Sequence, residues 1–286
     1  MTASTPGNLN ILFIGGGKMM QAIGGGLIAR GLPPANLHVV EPDNATRVAL
    51  AGQGMQVAAN GQDMLANIGK INVLILAVKP QHMRTALTPF AGMLGKQLVV
   101  SIAAGIRTQE LSGWLRHANI VRAMPNTPAL IQAGISGLYA GPAVGGGGRA
   151  LAESLMAAVG GTAWFEKENM LDAVTAVSGS GPAYVFYAME ALEEAATTLG
   201  FSPEAARQFA LETFRGAALL AAQSAASPAQ LRANVTSKGG TTEAAIAAFD
   251  RAGLRADFVA GVLAAAARAT ELGEEFAMPA LPSTST

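Results

Sequence analysis

Short apolar runs alternate with longer helical segments through the first half of the chain. Ile11–Ile14, Leu37–Val40, Val73–Val78, Leu98–Ile102 and Ile120–Met124 are rich in Val, Ile and Leu, and each stops near Gly, Pro or a polar residue. Runs of this kind fit strands buried on both faces of a parallel sheet. Between them Met19–Arg30, Arg47–Gly52, Gln81–Leu94 and Thr108–Leu115 read as helices. Strand and helix in alternation dictate an α/β layer architecture with right-handed crossovers.

The second half changes character. Beyond Lys167 no strand is evident, and Ala183–Leu199, Pro203–Ser224 and Arg255–Glu271 read as Ala-rich helices. Phe186, Met189, Leu192, Ala196 and Leu199 recur at helical spacing. Pro182 and Pro203 suit first turns, and Gly200 suits a helix stop. The boundary falls between Gly160 and Glu168, which divides the chain into an α/β Rossmann-like domain over 8–165 and an all-α domain over 166–278. Gly145–Gly148 reads as a flexible turn before another helix, and the Pro/Ser/Thr-rich tail after Met278 as frayed. Two or three helices of small residues make a thin core. Burying them against a second copy solves this, so the second domain is expected to dimerise; packing on the first half of the same chain is the alternative.

Composition excludes several function classes. Of 286 residues, 50% are hydrophobic and 13% charged, with 19 Lys and Arg against 19 Asp and Glu. A chain without a basic surplus, and with only 5% aromatic residues, is a poor partner for nucleic acid. The chain has no cysteine, which removes disulfides, thiolate nucleophiles and Cys-ligated zinc. Met1–Asn10 does not read as a secretory leader, and Gly216–Ala222 and Phe258–Ala267 are too short to span a membrane. His38, His82 and His117 are scattered, so no metal site is expected. The expected setting is the cytoplasm.

The first apolar run leads into Gly15-Gly16-Gly17-Lys18 and a helix start. Gly15 allows a tight turn, and Gly17 removes a side chain where backbone must approach a pyrophosphate. The helix beginning near Lys18 presents free N–H groups to that anion. Met20 replaces the third glycine of the dinucleotide fingerprint, a position concerned with helix–strand packing. Glu41 ends the second strand and is placed to accept from a ribose 2′-hydroxyl, which favours NADH. Arg47 lies close enough in sequence to offset its charge, so NADPH and NADH both stay open. A tight βα turn without a ligand would use the same glycines.

Several blocks then resemble the pyrroline-5-carboxylate reductase family. They are Ile14–Met19, Ala77-Val-Lys-Pro80, Ser101–Gly105, Val121–Ala129, Ser178–Tyr184 and Val235–Thr242, in the family's order over nearly the whole chain. The resemblance implies reduction of Δ1-pyrroline-5-carboxylate to L-proline by NAD(P)H, the last step of proline synthesis. It also implies a Rossmann domain followed by a helical dimerisation domain. It matches Asn60, Lys79 and Pro80 to positions lining the cofactor, and with Gly15, Gly17, Lys18, Met19, Glu41 and Ala77 these make the expected cofactor set. It matches Ser237, Gly240, Thr241 and Thr242 to the substrate loop, with Gly239 letting the chain turn closely. Met20 stands where the family usually has a small residue, and Lys238 where it usually has Pro.

The implied substrate is a cyclic imine bearing a carboxylate. Its protonated C=N carbon accepts hydride readily, so the enzyme needs less acid–base machinery than a ketone reductase. The Ser237–Thr242 loop can supply helix N–H groups for the carboxylate, with the Thr242 hydroxyl, the expected catalytic group, at the imine nitrogen. Thr-Thr-Glu before an Ala-rich segment is equally a helix start signal. Other readings are a related Rossmann/helical reductase of another imine or a β-hydroxy acid, and a non-catalytic dinucleotide-binding protein. Ala183–Leu199 carries no Lys or His, which counts against the hydroxy-acid enzyme.

Overall fold

The computed structural model describes Leu9–Phe276. Expectations about the residues before Leu9 and the tail after Met278, including the limits at 8 and 278, lie outside these residues. The strands are β1 (Ile11–Ile14), β2 (Leu37–Val40), β3 (Gln56–Ala58), β4 (Val73–Leu76), β5 (Leu98–Ser101), β6 (Ile120–Met124), β7 (Gly134–Ala140) and β8 (Gly160–Trp164). The helices of the sheet region are α1 (Lys18–Ala29), α2 (Asn44–Gly52), α3 (Pro80–Leu87), α4 (Thr108–Leu115), α5 (Gly146–Met156) and α6 (Met170–Val174). Beyond them come α7 (Gly181–Thr198), α8 (Pro203–Gln223), α9 (Pro228–Asn234), α10 (Thr241–Ala252) and α11 (Leu254–Glu275).

The strands form one sheet in the order β3-β2-β1-β4-β5-β6-β7-β8, and β6–β7 is its one antiparallel pairing. Period-two alternation gives each face its own core. Ile11, Phe13, Val39, Val73 and Ile75 pack on one side with α1 and α5 residues. Leu12, Ile14, Val40, Leu74 and Leu76 pack on the other with α3 and α4 residues. All five expected strands are present. β3, β7 and β8 escape the sequence reading because they are short or interrupted by glycine. The glycine run departs from expectation, since only Gly145 precedes α5 and Gly146–Gly148 form its first turn. A side chain at Gly148 would sit 2.9 Å from Val144 Cγ1, so bulk there is excluded.

By packing, the chain forms two compact units: residues up to Gly179 with those from Ala265 onward, and Ser180–Ala264. The last strand ends at Trp164, yet residues 166–179 group with the sheet. Leu171 of α6 is buried, and Leu171 and Val174 close over Gly137 of β7. A π-helical turn, Thr175–Gly179, ends the first of this unit's two segments. Within the second unit, Tyr184 meets Phe258 edge to face at 5.9 Å, and Phe201 meets Phe209 at 5.3 Å.

A charged clasp joins β6 to the start of α4. Glu168 accepts from the Thr108 amide at 2.6 Å, the Thr108 hydroxyl at 2.9 Å and Arg122 Nη1 at 3.0 Å. Arg107 and Asp172 pair alongside through two hydrogen bonds. Burial pulls the Arg122 guanidinium below its ordinary range, and Glu168 opposes that pull. A buried charge stripped of its partner is far costlier than the intact pair is favourable. Glu168→Ala should therefore lower the unfolding free energy by about 3–5 kcal/mol, measured by urea denaturation. A loss within about 0.5 kcal/mol, the range of an ordinary surface substitution, would show the clasp to be dispensable.

Candidate functional site

β3, β2, β1 and β4 run parallel and end side by side, and the order of connection reverses between β3 and β4. Ligands collect at such switch points, outside the carboxyl ends of the strands. β1 runs into Gly15, whose φ of +103° and whose approach to Ala77 exclude a side chain; a Cβ there would lie 2.8 Å from the Ala77 carbonyl oxygen. The Gly15 amide donates to the Val40 carbonyl at 2.8 Å. Gly16 is also enclosed, with Leu50 Cδ1 2.9 Å from its would-be Cβ.

Gly17 differs. It is exposed, and nothing lies within 4 Å of the position a Cβ would take. It precedes α1, which has no side-chain cap and no acid in its first turn. An uncapped helix start facing open space suits the pyrophosphate of a dinucleotide. Lys18 beside it is exposed and Met19 half-buried. Met20 is fully buried, and Gly24 makes room for it, the Met20 methyl lying 3.3 Å from the Cβ position there. Small size, absent at Met20, is thus supplied one turn later.

Glu41 leaves β2 and turns back onto the glycine turn. Its Oε2 accepts from the Gly16 amide at 2.8 Å and its Oε1 from the Asp43 amide at 2.9 Å. The sequence marked Glu41 as a ribose partner; its bond to Gly16 joins positions remote in the chain, and no local pattern announces it. Ala77 follows β4 and donates to Ile14 O at 2.8 Å. Lys79 precedes α3, and Pro80 opens it. Asn60 follows β3, and its amide side chain exchanges hydrogen bonds with Asp63 at 2.9 and 3.2 Å. Gly15 and Ala77 are thereby in direct contact and Glu41 bonds the adjacent Gly16, while Asn60 and Lys79 follow neighbouring strands of the same edge.

The second set lies in the other unit. Ser237–Gly240 forms a tight turn in which the Gly240 amide donates to the Ser237 carbonyl at 3.0 Å. A Cβ on Gly240 would lie 2.5 Å from Ser237 Oγ. Gly240 precedes α10 with no side-chain cap, and Thr241 and Thr242 occupy the first turn. Among the described residues neither threonine hydroxyl has a hydrogen-bond partner. Gly239 is not free in the same way, because Glu243 Oε2 accepts its amide at 2.7 Å. Lys238 is exposed and forms no ion pair among the described residues.

Other marked residues build structure. Asn126 Oδ1 accepts from the Ile135 amide at 2.9 Å and shapes a turn. His117 Nε2 lies 2.8 Å from the Gln97 carbonyl, and His82 is exposed. Among the described residues no group of three or more His, Asp or Glu gathers to hold a metal, and no helix is long and apolar enough to cross a membrane.

Comparison with known proteins also divides the chain in two. Residues 10–105 match the family described as NADP oxidoreductase, coenzyme F420-dependent. Residues 168–272 match the pyrroline-5-carboxylate reductase dimerisation family. A pyrroline-5-carboxylate reductase of Pseudomonas aeruginosa is 43% identical over 95% of this chain and 98% of its own. The solved structure of a pyrroline-5-carboxylate reductase from Coxiella burnetii superposes with a TM-score of 0.85 at 40% identity, covering 93% of this chain and 98% of that one. The Plasmodium falciparum pyrroline carboxylate reductase, solved with NADP bound, gives 0.81 at 25% identity, covering 93% and 99%.

The glycine turn separates folding from binding. Gly15→Ala should cost about 1–3 kcal/mol of stability through backbone strain. Gly17→Val should change stability by less than about 1 kcal/mol while weakening dinucleotide binding about tenfold or more. Thermal melts and fluorescence titration of both variants check this; unaltered binding by Gly17→Val would remove the pyrophosphate from the turn.

Proposed function

The chain belongs to the pyrroline-5-carboxylate reductase family, and on that footing we propose that it reduces Δ1-pyrroline-5-carboxylate to L-proline, the closing step of proline synthesis. The observation that carries this reading is the pairing of an open, uncapped glycine turn with an uncapped Ser237–Thr242 helix start on one chain of this family. We assign residues 8–165 to the nucleotide, and 166–278 to the substrate and self-association.

Bound NAD(P)H supplies hydride. The chain's part is to place the acceptor. The first-turn amides of α10 and the Ser237 hydroxyl hold the substrate carboxylate, a group that uncapped helix N–H groups favour. The Thr242 hydroxyl bonds the ring nitrogen and orients the protonated C=N, whose carbon takes the hydride while the nitrogen becomes the secondary amine. No alkoxide develops, so no strong acid is required. Gly15, Gly17, Lys18 and Met19 would hold the pyrophosphate, with Glu41, Asn60, Ala77, Lys79 and Pro80 along the neighbouring strand ends completing the cofactor site. We place the reaction in the cytoplasm, in keeping with a chain that lacks cysteine, and assign it no nucleic-acid partner.

Self-association follows from the second unit. Among its described residues the buried apolar side chains are Ala206 and Ala210, while Tyr187 is 76% and Leu199 80% exposed. Phe249, Phe258, Val259 and Leu263 line open grooves. Exposed apolar surface on this scale marks an association surface, and the matched dimerisation family spans the same segment.

Thr242→Ala should reduce kcat/KM by about 1–3 kcal/mol of transition-state stabilisation without lowering the melting temperature. Wild-type steady-state kinetics in the variant would exclude Thr242 from the reaction. Sedimentation equilibrium of the intact protein should give at least twice the chain mass; a monomer at micromolar concentration would contradict the association.

A further inference from the structure

The turn before α10 has an anchor that lies inside the helix. Glu243, in the first helical turn, accepts at Oε2 from the Gly239 amide at 2.7 Å. A glutamate at this place ordinarily reaches back to the N-cap amide. Here the N-cap is Gly240, whose amide already donates to the Ser237 carbonyl at 3.0 Å. The carboxylate passes over Gly240 and takes the amide before it.

Gly239 has little else to fix it. It is exposed, its φ is +73°, and nothing lies within 4 Å of the position a Cβ would take. Glycine takes either sign of φ readily, so a turn of this kind keeps its shape through its hydrogen bonds. That shape matters to Ser237, whose Oγ lies 2.5 Å from the Cβ position of Gly240. The placing of this hydroxyl over the helix start depends on the path of the turn. The amides of Thr241, Thr242 and Glu243, by contrast, donate to no acceptor among the described residues and stay open to a ligand.

We infer that Glu243 is a positioning residue for substrate binding: by holding the Gly239 amide it keeps the Ser237–Gly240 turn in the shape that presents the Ser237 hydroxyl and the open α10 amides to the substrate carboxylate. Gly239 acts through this anchor and not by touching the substrate. The inference rests on the reading that the carboxylate of Δ1-pyrroline-5-carboxylate binds at this helix start. A turn already fixed loses less conformational freedom when its ligand arrives, so the anchor acts on substrate affinity rather than on the hydride step.

Two variants of the full-length protein separate reach from charge. Glu243→Asp keeps the charge, which suits a first helical turn, but is one methylene short of the Gly239 amide. Glu243→Gln keeps the reach and an acceptor oxygen and removes the charge. Hydrogen exchange, followed by mass spectrometry on the peptide covering residues 237–240, should quicken in Glu243→Asp and match the wild type in Glu243→Gln. In steady-state reduction of Δ1-pyrroline-5-carboxylate by NAD(P)H, Glu243→Asp should raise KM about threefold or more, the scale of one net hydrogen bond, with kcat within about twofold. Glu243→Gln should keep both constants within about twofold of the wild type, because the amide retains its acceptor. Faster exchange in Glu243→Asp with KM in place would mean a purely structural bond and overturns the inference. A raised KM in Glu243→Gln with Glu243→Asp at the wild-type value also overturns it, by making the charge the operative feature. Unaltered exchange in Glu243→Asp removes the anchor. A wild type that binds dinucleotide but does not turn over the imine removes the substrate-site reading itself, and the inference with it.

Discussion

The chemistry of the first unit depends on one close passage, that of the Gly15 backbone over the Ala77 carbonyl. β1 and β4 are neighbours in the sheet, and the segments leaving them must separate within two residues. Only a residue without Cβ, at a positive φ, turns sharply enough to do so. That turn brings Gly16 under Glu41 and points the start of α1 outward at Gly17. A bulkier link would push α1 away from Ala158 and Val159, against which Gly26 is packed. The binding surface and the helix packing are consequences of a single bend.

Much of this was legible in the sequence because the responsible patterns are local. β1, β2, β4, β5 and β6 are unbroken apolar runs, and a strand buried on both faces can hardly be written otherwise. β7 was not legible, since Gly134, Ser136 and Gly137 interrupt its pattern. β3 and β8 lie at the sheet edges, where burial on both faces no longer dictates composition. The glycine run at 145–148 misleads for a related reason. Glycine usually signals a turn, but here three glycines open a helix, and of these only Gly148 is closely packed, against Val144 and Leu98.

Within the candidate site, Gly15 and Gly17 could be marked from residue type and spacing, and the Ser237–Thr242 loop from its resemblance to a family motif. Their partners could not. The Glu41–Gly16 bond, the Glu168–Arg122 clasp and the Glu243–Gly239 contact depend on three-dimensional approach, and a carboxylate looks the same in sequence whether it faces water, an amide or a guanidinium. The thin core of the second unit was legible through its alanine content, because small side chains cannot fill a core by themselves. The segment matches a dimerisation family, which agrees with apolar area left uncovered within one copy.

Glu41 serves the fold whatever else it does. Its carboxylate supplies the acceptor for the enclosed Gly16 main-chain amide. A lineage could not simply discard it, since the Gly16 N–H would be orphaned and the loop would slacken. Such a change would have to arrive together with a new acceptor, or in a background stable enough to bear the interval. Evolutionary replacement at this position is thereby tied to the scaffold's spare stability.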